Sequence, residues 1–126
     1  INKTSITNNL GNSITLVASQ KLVSGVDKKM LGVDQNWIDV TGQREIGVTY
    51  TNNTSKAIAL LIKIHMSKET TVEAVINGVE VGGANATAAH NQLGYIFSII
   101  PPSQNYSIRN TDGSGKESLI KWSELR

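Results

Sequence analysis

The stretch from Lys56 to Ser67, KAIALLIKIHMS, constrains the fold more than any other part of the chain. Ile58, Leu60, Ile62, Ile64 and Met66 take every second position, with Ala57, Ala59, Leu61, Lys63, His65 and Ser67 between them. A period of two belongs to a β-strand, whose successive side chains face opposite sides. Wound as a helix, the same residues would put Lys63 and His65 on the face that holds Ile62 and Ile64. The sequence therefore predicts a strand with one fully apolar face and one mixed face. Burying the five apolar side chains contributes roughly 1.5–3 kcal/mol each. That is the scale of a domain's net stability before the cost of ordering the chain is subtracted, so this strand belongs inside a sheet.

Short strands surround it. Trp37 to Val40 and Ile46 to Thr51 read as two, separated by a turn at Thr41-Gly42-Gln43. Val72, Ala74 and Ile76 alternate up to Asn77-Gly78, and Val79 and Val81 alternate after it, a strong hairpin signal. Residues 82–93, GGANATAAHNQL, read as the longest irregular connection, of the kind that carries binding function. Tyr95 to Ile100 is a further strand, stopped by Pro101-Pro102. Asn105 to Arg109 follows, then a turn from Asn110 to Gly115, then a last strand from Glu117 to Trp122. About eight short strands with regular turns predict a mainly β domain, an antiparallel sandwich or barrel, over residues 33–126.

The N-terminal quarter has a different pattern. Residues 1–12 are polar and without sustained period, which suits a linker or the end of a stalk. Residues 13–32 predict one helix, with Asn12 or Ser13 as N-cap, Lys28 and Lys29 near its C-terminus and Gly32 in the left-handed position beyond it. Leu16, Val23 and Met30 are seven residues apart, with Val26 between the last two, and follow a narrow heptad seam. Ser19 and Gly25 weaken that seam. An isolated helix of this length is marginal in water. Two partners are open to it: its own β domain, or further copies of itself in a stalk.

Composition narrows the chemistry. The 126 residues fit one domain. A net charge of +2 with no Lys/Arg block argues against a nucleic-acid surface. No apolar run approaches the roughly 20 residues that span a bilayer, so no membrane insertion is expected. Cysteine is absent, which rules out a disulfide framework. The chain opens on Ile1 rather than Met, and the expectation is a C-terminal fragment of something longer.

The sequence holds none of the common catalytic patterns. There is no nucleophile elbow, no phosphate-binding glycine loop and no metal-binding His pair on a helix. His65 reads as an exposed or hydrogen-bonded residue, and His90, in the long loop, as a ligand contact or a solvent-exposed side chain. Two histidines do not make a metal site within one chain, although a threefold assembly would bring three imidazoles together; no metal and no cofactor are expected. The carboxylates Asp39, Glu45, Glu69, Glu73, Glu80, Asp112, Glu117 and Glu124 are spread singly and read as solvated surface. No spacing among them argues for a glycosidase pair. Asn2, Asn52, Asn85 and Asn105 each open an N-glycosylation pattern, as chance allows in a chain so rich in Asn, Ser and Thr. Trp37 and Trp122 read as core or interface residues, with sugar stacking as the other role.

Three ordered motifs add a resemblance. Leu31-Gly32-Val33-Asp34-Gln35-Asn36-Trp37, Asp39-Val40-Thr41-Gly42-Gln43-Arg44 and Gly47-Val48-Thr49-Tyr50-Thr51-Asn52-Asn53-Thr54 resemble the opening of C-terminal domains of bacteriophage tail fibres. Pro101-Pro102 followed by Tyr106-Ser107, and the closing Trp122-Ser123-Glu124-Leu125-Arg126, resemble the later motifs of the same domains. The likeness covers roughly residues 12–126. It departs at Ser103-Gln104-Asn105, where relatives often carry Gly-Ala. It implies a homotrimeric fibre tip on the virion that binds a bacterial surface glycan, and it supplies no contact residues. The polar loops then become the expected contacts: Asn85, Thr87, His90, Asn91 and Gln92, with Tyr95 as a stacking face, and the 110–116 turn beside them. Leu16, Val23, Val26 and Met30 are the expected trimer contacts of the stalk. The alternatives are a domain that only trimerises and registers the fibre, and a capsule depolymerase.

Overall fold

The computed structural model describes residues 28–111 and 117–126. Eight strands form two four-stranded antiparallel sheets. In chain order they are β1 (Trp37–Asp39), β2 (Thr49–Thr51), β3 (Ile58–Met66), β4 (Thr71–Ile76), β5 (Val79–Asn85), β6 (Gln92–Ile100), β7 (Asn105–Asn110) and β8 (Glu117–Leu125). Sheet I has the order β1-β8-β3-β6 and sheet II the order β2-β7-β4-β5. Only the β4–β5 connection stays within one sheet; every other connection crosses between them.

The strand expected at the centre is there. β3 is interior to sheet I, between β8 and β6, and Ile58, Leu60, Ile62, Ile64 and Met66 are all essentially inaccessible. From sheet II, Val72, Ala74, Ile76, Tyr106 and Ile108 close the core against them, with Trp122 of β8 beneath Tyr50. The Asn77-Gly78 hairpin is also present: both residues have positive φ, 50° and 79°, as a tight two-residue turn between twisted strands requires.

Two expectations change. The long connection is shorter than 82–93: β5 runs on to Asn85 and β6 begins at Gln92, leaving 86–91 as the loop. Gly82-Gly83 looks like a strand breaker in sequence. In the structure Gly83 lets β5 close on β4, since a Cβ there would stand 2.7 Å from the Val72 carbonyl oxygen. The helix expected over 13–32 falls mostly outside the described residues, as do Leu16, Val23 and Val26. Its last residues, Lys28 to Leu31, lie in turns and Met30 is exposed. Gly32 does take the left-handed conformation (φ 91°), and its N–H donates to Gln35 Oε1, so this segment is fastened to the domain.

The registers give the sandwich two distinct ends. At one end Asn36 and Arg126 exchange backbone hydrogen bonds, Gln35 donates to the Ala57 carbonyl, and residues 52–57, 77–78 and 101–104 turn. The described chain enters here, and this is called the near end. The connections 67–70 and 86–91 lie at the opposite, far end, where β7 also ends at Asn110 and β8 begins at Glu117. Among the described residues no helix is long and apolar enough to cross a membrane.

Candidate functional site

Two polar assemblies stand out, one inside the sandwich and one at its far end. The inner one is built around Glu124, whose side chain is wholly buried. It accepts hydrogen bonds from Arg44 Nε (2.9 Å) and Nη2 (3.2 Å), Tyr106 Oη (2.8 Å) and Trp122 Nε1 (3.2 Å), and Arg126 Nη1 lies 3.2 Å away. Arg44 also sits over the Tyr50 ring, 4.6 Å from its centroid. Burial, and then the carboxylate of Glu124, push the Tyr106 hydroxyl up to about 12. The ion pair with Glu124 raises the Arg44 guanidinium against the opposing effect of its burial. Glu124 is therefore not the solvated carboxylate that the sequence suggested. Its partner Arg44 is 80 residues away in the chain, and no local spacing announces the contact.

The motifs behind the phage-fibre resemblance converge on this cluster. Arg44, Tyr50, Tyr106, Trp122, Glu124 and Arg126 each come from one of them. The same is true of Asn52, which is completely buried. Its Nδ2 donates to the carbonyls of Lys56 (2.7 Å), Ile100 (3.1 Å) and Pro101 (3.2 Å), and its Oδ1 accepts from Thr54. Asn52 is thus a clasp for the near-end turns, and its buried amide is inaccessible to a glycosylating enzyme. These motif residues hold the scaffold together and offer no ligand surface.

The far end is the other assembly. Asn85 closes β5, Thr87, His90 and Asn91 stand in the 86–91 loop, and Gln92 opens β6; all five are exposed. The loop is tied to the adjoining 67–70 turn at three points. Ala86 N–H donates to the Thr70 carbonyl (2.8 Å), Glu69 N–H to the Thr87 carbonyl (3.1 Å), and Lys68 N–H to Asn91 Oδ1 (3.2 Å). Ala86 is buried beneath them as the loop's anchor. Glu69 holds a positive φ of 62° without being glycine, a strained conformation kept by these bonds. Asn110, at the end of β7, and Glu117, at the start of β8, hydrogen-bond to each other at this end too. Lys68, Glu69 and Thr70 thus belong to the same end as the loop, and their only mark in the sequence is a polar run between two alternating stretches.

Tyr95 stands apart from these five. It is three residues along β6 from Gln92, about 10 Å at ordinary strand rise, on the outer face of sheet I with Lys63 Nζ 5.9 Å from its ring centroid. His65 is half-buried on the same face. Trp37 lies there too, half-exposed, whereas Trp122 is in the core. Elsewhere, a shallow cavity of about 290 Å³ opens on sheet II beside the Asn77-Gly78 turn, lined in part by Thr49, Asn105 and Ser107. It lies on the near side, away from the far loops. Among the described residues no three His, Asp or Glu side chains converge as a metal site would need. No protein-family model matches the chain, and no curated protein matches it significantly.

Proposed function

We propose that this chain is the receptor-binding end of a bacteriophage tail fibre, a homotrimer on the virion whose far loops contact a bacterial surface glycan. The observation that carries the reading is the polarity of the sandwich. The preceding chain joins at one end, and the loops that hold Asn85, Thr87, His90, Asn91 and Gln92 project from the other. A fibre tip requires that arrangement, with stalk and receptor on opposite sides. Amide and hydroxyl side chains on a braced loop supply the paired donors and acceptors that sugar hydroxyls need. The contacts are small and polar, and repetition around an axis and among fibres compensates for weak single sites.

The test replaces residues 86–91 by a Gly/Ser loop of equal length in the 126-residue chain and measures binding to host cells and to their purified surface polysaccharide. Loss of binding with unchanged circular dichroism is expected. Undiminished binding would move the receptor site off this end. A purely structural role in trimerising and registering the fibre is the second reading. The apolar outer face of sheet I favours it, and its signature is a chain that assembles but ignores cells.

A further inference from the structure

The two sheets present very different outer faces. That of sheet II is mostly polar, with Thr49, Thr51, Glu73, Asn105, Ser107 and Arg109 facing outward; its apolar members are Val75 and the smaller exposed Val79 and Val81 of β5. That of sheet I carries a row of four large apolar side chains along β6, Leu93, Tyr95, Phe97 and Ile99, each between 48 and 61 % exposed. Leu61 of β3 adjoins the row and Trp37 lies across the same sheet.

Side chains this large at these exposures leave an apolar patch of several hundred Å², the size at which a patch on a soluble protein marks an interaction surface. β6 is also an edge strand nine residues long. Soluble proteins protect such edges with charge, proline or a bulge, and Gln92 to Ile100 contains none of these.

We propose that copies of this chain cover one another through the outer face of sheet I, with the β6 row and Leu61 at the centre of the contact. The number of copies, three, rests on the fibre reading above; the choice of face rests on the structure. Identical chains are favoured over other occupants by the layout of charge. Lys63, Lys121 and Asp39 sit in the same face beyond the apolar row, with Lys121 paired to Asp39 at 2.6 Å. The apolar row on β6 is thus bordered on its inner side by charges of both signs, as the apolar part of a protein interface is bordered by polar groups. Two lysines beside a carboxylate make a poor membrane surface. A closed ring of copies also covers the apolar face of sheet I on every copy at once. With the strands running along the axis, all near ends point one way and all far loops the other, so the interface and the loop site do not compete. Tyr95, which the sequence suggests as a sugar platform, becomes part of the contact between copies.

The chain's lack of cysteine makes a direct test available. Single substitutions Phe97→Cys on sheet I and Ser107→Cys on sheet II are treated with a short bifunctional maleimide. The Phe97→Cys chain should give covalently linked copies and the Ser107→Cys chain should not. In parallel, Phe97→Asp/Ile99→Asp should reduce the solution molar mass threefold while leaving the circular dichroism intact, and Thr49→Asp/Ser107→Asp should leave the mass unchanged.

An assembly indifferent to the β6 substitutions and linked through Ser107→Cys would overturn the face while leaving the loop site and the fibre reading standing. A monomeric wild-type chain in which Phe97→Cys resists modification would overturn the proposal in favour of cover by the chain's own N-terminal segment. An assembly linked through Phe97→Cys whose cell binding survives replacement of 86–91 would leave the face and remove the loop site.

Discussion

Glu124 shows how much of this domain depends on single polar side chains. A buried carboxylate is costly unless it is paired and its lone pairs are filled. Here Arg44, Arg126, Tyr106 and Trp122 supply that company from three separate segments of the chain. The Asp39–Lys121 pair is a contrast: Lys121 and then Thr41 hold the Asp39 carboxyl well below the usual range, yet both members are half-exposed and solvent screens them. Tyr106 makes the buried cluster measurable. Its folded pKa is raised, from 10.0 to about 12, so the native state holds its proton more tightly than the unfolded chain does. The associated stabilisation is complete below pH 10 and is lost as pH rises toward 12. Thermal melts across that window should show the melting temperature falling more steeply for wild type than for Tyr106→Phe, which has no phenol to titrate. Equal slopes would mean that the Tyr106 hydroxyl is not buried against Glu124. None of this was legible from spacing, because the members of the cluster are joined only by the fold.

At the scale of elements the sequence was more informative, for a physical reason: periodicity is a local property, and a strand buried on one face has to display it. The alternation from Ile58 to Met66 and the Asn77-Gly78 turn both reappear in the structure. Where side chains are missing the signal fails, and Gly82-Gly83-Ala84 looks like loop because glycine has no side chain with which to alternate. β5 nevertheless continues through it, past a register shift between Ala74 and Val75 of β4 that leaves Val81 as the extra residue. The two glycines there are not equivalent. A Cβ on Gly83 would meet the Val72 carbonyl oxygen at 2.7 Å, and a backbone atom in a ladder cannot yield, whereas a Cβ on Gly82 meets open space. Gly83→Ala should therefore destabilise by about 1–3 kcal/mol, the usual cost of overpacking. Gly82→Ala should be neutral or stabilise by up to ~1 kcal/mol through the unfolded chain. Urea denaturation midpoints of the two variants decide it; equal midpoints would mean that β5 and β4 do not approach so closely at Gly83.

For the whole molecule the governing fact is that three surfaces with different properties point in different directions. Polar loops occupy the far end, the chain enters at the near end, and the apolar face runs along the side of sheet I between them. The candidate contact residues from Asn85 to Gln92 were legible as a polar stretch, but their common position opposite the chain's entrance follows from strand directions that no short window contains. The same layout separates affinity from avidity. On the proposed function, a loop at the far end would keep its own weak affinity whether or not copies are joined through sheet I. Joining the copies multiplies binding to a surface by roughly 10²–10⁴ without a new contact. Phe97→Asp/Ile99→Asp should therefore bind a soluble oligosaccharide of the receptor as wild type does, while its retention on whole cells falls by about that factor. Replacing 86–91 should abolish both. If instead the β6 variant lost affinity for the soluble sugar, the sugar would be touching sheet I itself, and Tyr95 and Phe97 would be its stacking platform.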